Sequence, residues 1–483
     1  MMNRPVVIGI GAVQQKGNFK DLDEALILME QATQKAINDS TNKNITNYID
    51  EILVPKGFWR YRDPAKWIAK RNGFKDVITS VAKIGVLQQN LLNSVCNKIS
   101  DGKINAGLIL GGESRYKILR SKIESQKYLE TELNINPDNY IKAEDELTLN
   151  EEEKELGSMA VGYYAILESA FRASLKKGLQ EHNHDIAKLY SNFSKIASKN
   201  NEGWIEKPIK QSLIQQESKN NPLQAYPYNK HHCTSWNVNQ SCAIIICSEK
   251  LADKLNIPIE KRVYPLASSE TNHMVSTLQR PNLIEPIGMK LAANFILDVC
   301  KKNKLKVNDY DLYSCFPVAV QMFAKSLGLK IDDQITVTGG MPFAGGPLNS
   351  YVLHSTVKLI SKIRNRKKGL GIITGVSGMM TKQSYALWSK NPDINFVYKD
   401  FTKDAKAIEK PIELYKKSTG KGKIIGYTVT KNETSKKAII YLDISNERKR
   451  KLITSSDESI IKLMETTEWV GKKVYFKKNQ LVY

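Results

Sequence analysis

Hydrophobic and polar positions change their period repeatedly along the first hundred residues. Residues 6–11 form a continuous apolar run, which is typical of a buried strand. A helix predicted over residues 22–37 has an apolar face made of Leu22, Ala25, Leu26, Met29 and Ala32. The same periodicities predict further elements, namely strands over residues 48–54 and 106–110 and a helix over residues 86–100. Strand, helix and strand in this order indicate parallel α/β construction.

From about residue 115 to residue 233 the pattern becomes charged and helical. Two long amphipathic runs, residues 158–177 and 184–199, predict a helical region that lies over the sheet. The α/β alternation then returns, with strands predicted over 242–247, 263–268, 310–315 and 369–374 and helices over 249–255, 289–302 and 318–327. The sequence therefore predicts two similar α/β halves.

The character of the chain changes again after about residue 405. Four short β-prone runs, at residues 422–430, 437–442, 450–454 and 473–476, predict a small β-barrel or sandwich. The predicted domains are a first half at residues 1–115 and 236–272, a helical loop domain at 116–235, a second half at 273–404 and a C-terminal β domain at 405–483.

The composition is that of an ordinary globular protein, with 41% hydrophobic and 25% charged residues in 483. No segment has the roughly 18 uninterrupted apolar residues that a membrane span needs. The N-terminal apolar run is too short for a signal peptide. Six scattered cysteines, at positions 96, 233, 242, 247, 300 and 315, are typical of free thiols in a reducing compartment. We expect a cytoplasmic protein.

The formal net charge is +22, which raises the question of a nucleic-acid partner. Lysine greatly outnumbers arginine and no recognition motif for DNA or RNA accompanies the charge, so the excess favours solvated surfaces over a nucleic-acid site. A small basic barrel can nevertheless bind nucleic acid, and that alternative stays open for the C-terminal domain. Positive potential would also serve a polyphosphorylated ligand such as a coenzyme A derivative.

Residues 339–349 contain four glycines and two prolines, which excludes the interior of a regular helix or strand. A β-prone segment, residues 334–338, precedes this glycine loop, and an apolar helical pattern over residues 351–363 follows it. Between a strand and a helix start, backbone N–H groups can face an anion or a polarised carbonyl. A tight connection without any ligand is the alternative, because neither Gly-x-Gly-x-x-Gly nor a Lys-containing phosphate loop is present.

Several blocks together resemble the thiolase superfamily. The glycine loop is similar to its Gly-Gly-x4-Gly-His-Pro loop, residues 313–316 to its Asn-Glu-Ala-Phe or His-Asp-Cys-Phe block, and residues 374–378 stand where its Cys-x-Gly loop belongs. In the first half, the similar segments are residues 111–114, 158–160 and 237–243. The resemblance covers about residues 4–400. With the appended tail and residues 59–64, the chain looks most like the type 1 thiolase-like proteins, which carry an additional C-terminal domain.

The resemblance implies a thiolase-like fold and an acyl-CoA acyltransferase of the acetyl-CoA acetyltransferase kind, acting in lipid or acyl-CoA metabolism. It implies a coenzyme A thioester as ligand and no permanently bound cofactor. The residues expected to line its pocket are Gly85, Gly345, Gly346, Pro347, Asn349, Ser377 and Gly378. A homodimer or a protein partner is compatible with the resemblance.

The chemical positions depart from the family pattern. The nucleophilic cysteine of the family, which the N-terminus of a buried helix activates, falls at residues 84–86, where the chain has no cysteine; Cys96 lies more than two turns further along. The histidine of Gly-His-Pro is matched by Gly346, and the second cysteine by Thr374 or Gly375. The hydroxyl of Ser377 has too high a pKa to replace a thiol. We therefore expect ordinary thiolysis and Claisen condensation to be lost.

Tyr313 and Cys315 remain the candidate catalytic residues. Tyr313 stands where the family has an oxyanion-hole Asn or His, and its hydroxyl can still donate a hydrogen bond, whereas Cys315 could be a nucleophile or a buried core thiol. His354 has no identifiable partner, and the spacing of His231, His232, Cys233 and Cys242 does not fit a zinc site. The alternative function is a non-catalytic acyl-CoA-binding or scaffold protein that acts with a partner.

Overall fold

The central strands of the first sheet are buried on both faces, as their apolar runs require. The computed structural model of the chain describes residues 3–143, 148–432, 435–444 and 447–482. The strands of this sheet, in spatial order, are β1 (Pro5–Gln14), β8 (Asn239–Ser248), β4 (Ala106–Ser114), β2 (Ile49–Pro55), β3 (Ile78–Ala82) and β5 (Asn139–Ile141). β8 runs antiparallel to both neighbours, and the pairs from β4 to β5 are parallel.

The second sheet repeats this arrangement. Its strands, in spatial order, are β10 (Asp309–Asp311), β11 (Leu370–Ser377), β12 (Lys382–Ser389), β9 (Tyr264–Thr271) and β13 (Val397–Asp400). β12 is antiparallel to both β11 and β9, and β10 is parallel to β11. The spatial order β10-β11-β12-β9 thus corresponds to β2-β4-β8-β1, and the corresponding strands have the same relative directions. This correspondence confirms the two similar α/β halves.

The repeat extends to single residues. A Gln-Ser pair lies near the start of the antiparallel strand of each half, at residues 240–241 in β8 and 383–384 in β12. In each half the serine faces a glycine of the neighbouring strand, Gly112 in β4 and Gly375 in β11. The two sheets therefore have the same register as well as the same strand order.

Helices form three layers around the two sheets. In chain order they are α1 (Ala25–Asp39), α2 (Pro64–Asn72), α3 (Gln88–Ser100), α4 (Arg115–Ile123), α5 (Asn150–Leu156), α6 (Val161–Ser174), α7 (Leu179–Ala197), α8 (Gln211–Gln215), α9 (Glu249–Lys254), α10 (Ile287–Lys302), α11 (Pro317–Ser326), α12 (Met341–Ala344), α13 (Tyr351–Arg364), α14 (Thr402–Ile408) and α15 (Glu458–Thr466). α3 and α13 contact each other and both sheets, whereas α1 and α10 cover the outer faces. Within the described residues, no helix is long and apolar enough to cross a membrane.

The C-terminal strands close into a five-stranded barrel, as the sequence predicts. They are β15 (Gly420–Lys431), β16 (Lys436–Ile444), β17 (Lys449–Ser455), β18 (Lys473–Lys477) and β19 (Gln480–Val482). β15 pairs with β16 and β18, β16 with β17, β17 in parallel with β19, and β19 with β18. With α15 between β17 and β18, this is the topology of an OB-fold. The short strands β14 (Glu413–Leu414), β6 (Leu223–Ala225) and β7 (Tyr228–Asn229) extend its sheet.

Buried cations attach the barrel to the α/β body. Arg172 of α6, which is 1% exposed, donates to both carboxylate oxygens of Glu468 at 3.0 and 2.8 Å. The guanidinium of Arg450 donates to the carbonyls of Leu278 and Pro281 at 3.3 and 3.0 Å. These bonds satisfy both guanidinium groups with acceptors from the other side of the contact, so they favour one orientation of the barrel.

The β-prone segment over residues 334–338 is not a strand, and the predicted strand over residues 310–315 stops at Asp311. The carboxylate of Asp311, which is 1% exposed, explains both differences. It accepts hydrogen bonds from the N–H groups of Val337 and Thr338 at 2.8 and 3.1 Å, and from the hydroxyl of Thr336 at 2.7 Å. Those N–H groups are the ones that a strand would give to its neighbour.

We expect Asp311→Asn to destabilise the α/β body by about 3 kcal/mol, because an amide NH2 would face backbone N–H donors in a buried site. Asp309→Asn is the matched control, two residues earlier on the same strand. Its carboxylate is also buried, at 3% exposed, but its partners are the partly exposed cations of Lys362 and Arg366, both at 2.8 Å, which water can hydrate when the charge is removed, so its loss should cost less than that of Asp311. Thermal unfolding followed by circular dichroism measures both. Equal losses of melting temperature would contradict the role given to Asp311.

Candidate functional site

The N-termini of the two central helices meet at the site that the thiolase resemblance marks. The side chain of Gln88, in the first turn of α3, accepts a hydrogen bond at 2.7 Å from the N–H of Val352 in α13. Gly85 precedes α3, is buried and has a φ of 103°. The ammonium group of Lys382, a side chain that is 2% exposed, lies 3.3 Å from its carbonyl. Lys382 in turn faces Ser377 across β11 and β12, so Gly85 and Ser377 belong to one site.

No thiol lies at the start of α3. Gln88 and Gln89 occupy the first helical positions, and Cys96 is buried further along the helix, where burial raises the pKa of its thiol well above the usual value. A protonated thiol in an apolar position is a poor nucleophile. The start of α3 therefore has no cysteine side chain.

Tyr313 and Cys315 lie side by side in the core of this site. The N–H of Tyr313 donates to the hydroxyl of Thr374 at 2.8 Å, which joins the residue 313–316 block to β11. Burial raises the pKa of Tyr313 far above its ordinary value and that of Cys315 to about 12, although a hydrogen bond from the Tyr164 hydroxyl opposes the shift of the thiol. Both groups are neutral at physiological pH.

Tyr164, from α6 in the helical region, connects three parts of the site. Besides its contact with Cys315, its hydroxyl lies 3.4 Å from the carbonyl of Gly378 and accepts the N–H of Met380 at 3.1 Å. Its ring stacks on Phe316 at 4.6 Å between centroids. The amphipathic pattern of α6 predicts its buried face, but nothing in the local sequence indicates that this tyrosine reaches Cys315 and the turn after β11.

Most backbone N–H groups of the glycine loop donate hydrogen bonds to acceptors within the protein. Gly339 and Gly340 donate to the hydroxyls of Thr336 and Thr338, both at 3.0 Å, and Met341 donates to the hydroxyl of Ser314 at 3.0 Å. The loop then makes the one-turn helix α12, with Pro342 in its first turn, where its missing N–H costs nothing. These N–H groups already have acceptors within the protein. They therefore fit a tight structural connection better than a loop that binds an anion.

The side-chain space at Gly346 is already filled. A Cβ added there would lie far closer to Cγ2 of Thr234 than two carbons can approach, and 3.2 Å from Cε of Met341. The hydroxyl of Thr234 donates to the carbonyl of Cys315 at 3.2 Å, and the N–H of Gly346 donates to the carbonyl of Ser235 at 2.9 Å. Any side chain at position 346 would therefore require Thr234 and Met341 to move. Sequence reasoning missed Thr234, which lies over a hundred residues before Gly346.

The remaining predicted pocket residues surround the same region. Gly345 and Pro347 are buried, whereas Asn349, Ser377 and Gly378 are partly exposed. Gly345 has a φ of 98°, and a Cβ there would collide with the side-chain amide of Gln240. The side-chain amide of Asn349 donates to the carbonyl of Lys56 at 3.3 Å, which ties the end of the loop to the first half.

A cavity of about 260 Å³ opens beside the glycine loop, between β1, α1 and α13. Gly345 borders it, together with Lys35, Gln240, His354 and Lys358. Tyr313, Cys315, Ser377 and Gly378 do not line this cavity. Burial lowers the pKa of His354 to about 3, so its imidazole is neutral at physiological pH.

Among the residues that the structure describes, no group of three or more His, Cys, Asp or Glu side chains is placed to hold a metal ion. His232 is buried and its pKa falls to about 4, mainly through burial. Its ring accepts the N–H of Asn229 at 3.1 Å, which caps a short turn. The His231, His232 and Cys233 segment is thus accounted for by local structure.

No protein-family model and no curated protein matches the sequence. Solved structures do match. A monomeric SCP2-thiolase-like protein type 1 from Mycobacterium smegmatis is 23% identical, with 100% of both chains covered and a TM-score of 0.83. Human mitochondrial 3-ketoacyl-CoA thiolase in complex with CoA is 16% identical over 80% of this chain and 98% of that one, with a TM-score of 0.55. Acat5 thiolase from Ascaris suum in complex with coenzyme A is 15% identical over 80% and 100%, with a TM-score of 0.53.

The difference between these matches follows the domain architecture. The thiolases cover about four fifths of the chain, whereas the type 1 protein covers all of it. The thiolase superfamily fold that the sequence blocks predict is therefore confirmed: the chain has the thiolase fold, in the full-length arrangement seen in an SCP2-thiolase-like protein type 1.

Proposed function

We propose that the chain binds an acyl-CoA thioester in its thiolase-like site and does not form an acyl-enzyme by the thiolase route. The observation that carries this proposal is the packing at Gly346. Thr234 fills the space of the family's histidine and uses its own hydroxyl to hold the Cys315 backbone. In this proposal the position of the general base is not an empty gap in an otherwise complete active site. Another side chain occupies its space, and the site has no general base.

Two considerations support a coenzyme A ligand. The fold is that of thiolases, two of which have been solved in complex with CoA. The net charge of +22 also favours a ligand that carries several phosphates. In this proposal Gly85, Gly345, Gly346, Pro347, Asn349, Ser377 and Gly378 line the thioester end of the pocket, and Tyr313 can donate a hydrogen bond to the thioester carbonyl.

Acyl transfer through Cys315 is the runner-up. It would need a thiolate, but burial raises the pKa of Cys315 to about 12, which keeps the thiol protonated at pH 7. The contacts that lower this pKa are the Tyr164 hydroxyl and the backbone N–H groups of Phe316 and Cys315, just before α11 begins, and they do not outweigh the effect of burial; neither a histidine nor a cation is among them. This comparison favours binding without covalent catalysis, in a role that a protein partner or a second copy of the chain could complete. A cytoplasmic location, with reduced thiols, is part of the same proposal.

The first test separates binding from turnover. Isothermal titration of CoA and acetyl-CoA into the purified full chain should show binding, and a thiolysis assay with acetoacetyl-CoA should show no turnover above a denatured control. Intact-protein mass spectrometry after incubation with acetyl-CoA should show no adduct. Cys315→Ala should bind CoA as the parent does, because the thiol is not part of the proposed chemistry. A stoichiometric acyl adduct that disappears in Cys315→Ala would refute the non-covalent proposal, and absence of CoA binding would refute the ligand.

The second test addresses the packing at Gly346 directly. Gly346→Ala should destabilise the protein by about 2 kcal/mol, because the new Cβ overlaps Cγ2 of Thr234. Thr234→Ser removes that methyl group and keeps the hydroxyl on the Cys315 carbonyl. In the double variant the clash is gone, so the two effects should be non-additive by about 1 kcal/mol or more. Melting temperatures of the four proteins complete the cycle, and strict additivity would contradict the packing argument.

A further inference from the structure

The C-terminal barrel carries both paired and unpaired cations, and on β15 the paired one is Lys431, at the far end of the strand beside Glu217. On the side of β16 and β17, Lys436, Lys437 and Arg450 pair with Glu465, Glu155 and Asp443. On the side of β15 and β18, the described lysines Lys421, Lys423, Lys473 and Lys477 are exposed and make no ion pair with any described residue. We call this second surface, Lys421, Lys423, Lys473, Tyr475, Lys477, Gln480 and Val482, the basic face.

The strand register places these side chains on one surface. Lys421 lies opposite Tyr475, and Lys423 opposite Lys473, in the antiparallel pair of β15 and β18. Tyr475 and Lys477 lie opposite Val482 and Gln480 in β19. Alternate residues of a strand point to the same side, so all these side chains share the outer surface, whereas Val474 and Phe476 point into the barrel.

The arrangement has an unfavourable feature that a ligand would relieve. Two lysines directly opposite each other, here Lys423 and Lys473, repel each other across a strand pair. The segments that build the face, residues 414–431 and 469–482, contain no Asp or Glu at all, although the chain has 50 such residues. A lysine-rich composition alone therefore does not account for this surface, since carboxylates are abundant elsewhere and are paired on the other side of the same barrel.

An aromatic ring stands among these charges. Tyr475 is 57% exposed, and the ammonium group of Lys421 lies 4.7 Å from its ring centroid, which restrains the ring by a cation–π contact. An exposed aromatic ring with flanking cations on the outer surface of the barrel provides a stacking surface for a base and partners for the phosphates on either side. A membrane surface would require more protruding apolar side chains than Tyr475 and the half-exposed Val482.

We propose that the basic face of the barrel binds single-stranded nucleic acid, with one base stacked on Tyr475 and phosphates held by Lys421, Lys423, Lys473 and Lys477. Sequence reasoning disfavoured nucleic acid because the chain has no recognition motif, and binding of this kind requires none: it reads the backbone charge and the base face, not the sequence. This proposal is independent of the acyl-CoA site.

Fluorescence anisotropy tests the nucleic-acid proposal. Labelled (dT)20, (rU)20 and a 20-base-pair duplex are each titrated with the full chain at several salt concentrations. We expect both single strands to bind more tightly than the duplex. Tyr475→Ala should weaken single-strand binding by about fivefold or more with an unchanged salt slope, and Tyr475→Phe should bind within about twofold of the parent, because stacking needs only the ring.

The lysines should respond differently. Lys473→Ala with Lys477→Ala should weaken binding and reduce the slope of log affinity against log salt by about 0.7 for each lysine. Lys301→Ala with Lys302→Ala, exposed on α10, is the matched control with the same loss of net charge and should leave affinity and slope unchanged. Circular dichroism and melting temperature confirm that each variant is folded.

Several results would overturn the proposal. If the control pair weakens binding as much as the barrel pair, the protein binds polyanions through its overall charge. If the duplex binds as tightly as the single strands and Tyr475→Ala has no effect, no base stacks on the ring. Absence of binding to either single strand at 50 mM salt, or tighter binding to phosphatidylserine vesicles than to the oligonucleotides, also contradicts it.

Discussion

The carboxylate of Asp311 organises the region on which the candidate site is built. The carboxyl group is 1% exposed, and its polar partners among the described residues are hydrogen-bond donors. These come from residues 336–338 before the glycine loop and, after it, from the hydroxyls of Tyr351 at 3.2 Å and Ser355 at 2.6 Å in α13. One carboxylate thus fixes both ends of the loop. Because a buried carboxyl group needs hydrogen-bond partners, a shift of the loop would leave its oxygens unsatisfied.

The internal repeat shows where the two halves have diverged. Both halves retain the same strand order and a Gln-Ser pair in the same register, but they complete the outer edge differently. In the second half, β13 pairs with β9 along that edge. In the first half, the edge of β1 is capped by side chains: Asp39 accepts the N–H of Ile10 at 3.0 Å and Lys35 donates to the carbonyl of Ala12 at 2.9 Å. These side chains satisfy backbone groups at the edge of β1 but do not fill the space beside the strand. The 260 Å³ cavity lies in that space.

The sequence was sufficient to predict the architecture, but not the long-range contacts inside the candidate site. Periodicity predicts the two α/β halves and the helical region, and the motif blocks identify the thiolase fold, because strands and helices carry their patterns locally. Thr234 and Tyr164 could not be recognised, since their roles depend on contacts with Gly346 and Cys315, which lie far away in the chain. Residues 334–338 have strand propensity, but a buried carboxylate competes for their N–H groups, and tertiary contacts override such local preferences.

Buried cations with partners lie where the barrel contacts the α/β body, and the exposed cations of the basic face make no ion pair with the described residues. The buried cations give the C-terminal domain a defined position, and the exposed ones leave the basic face available for binding. Burying Arg172 and Arg450 costs desolvation, which is recovered only when Glu468 and the carbonyls of residues 278 and 281 are in place. Such contacts contribute orientation more than stability, because a misplaced barrel would leave buried guanidinium groups unpaired. Because the contacts of Arg172 and Arg450 already define the orientation of the barrel, the basic face does not need ion pairs for this purpose. The lysines of the basic face form no ion pair with the described residues, so removing their charges should cost the fold little, and their side chains can bind a ligand without breaking an internal ion pair.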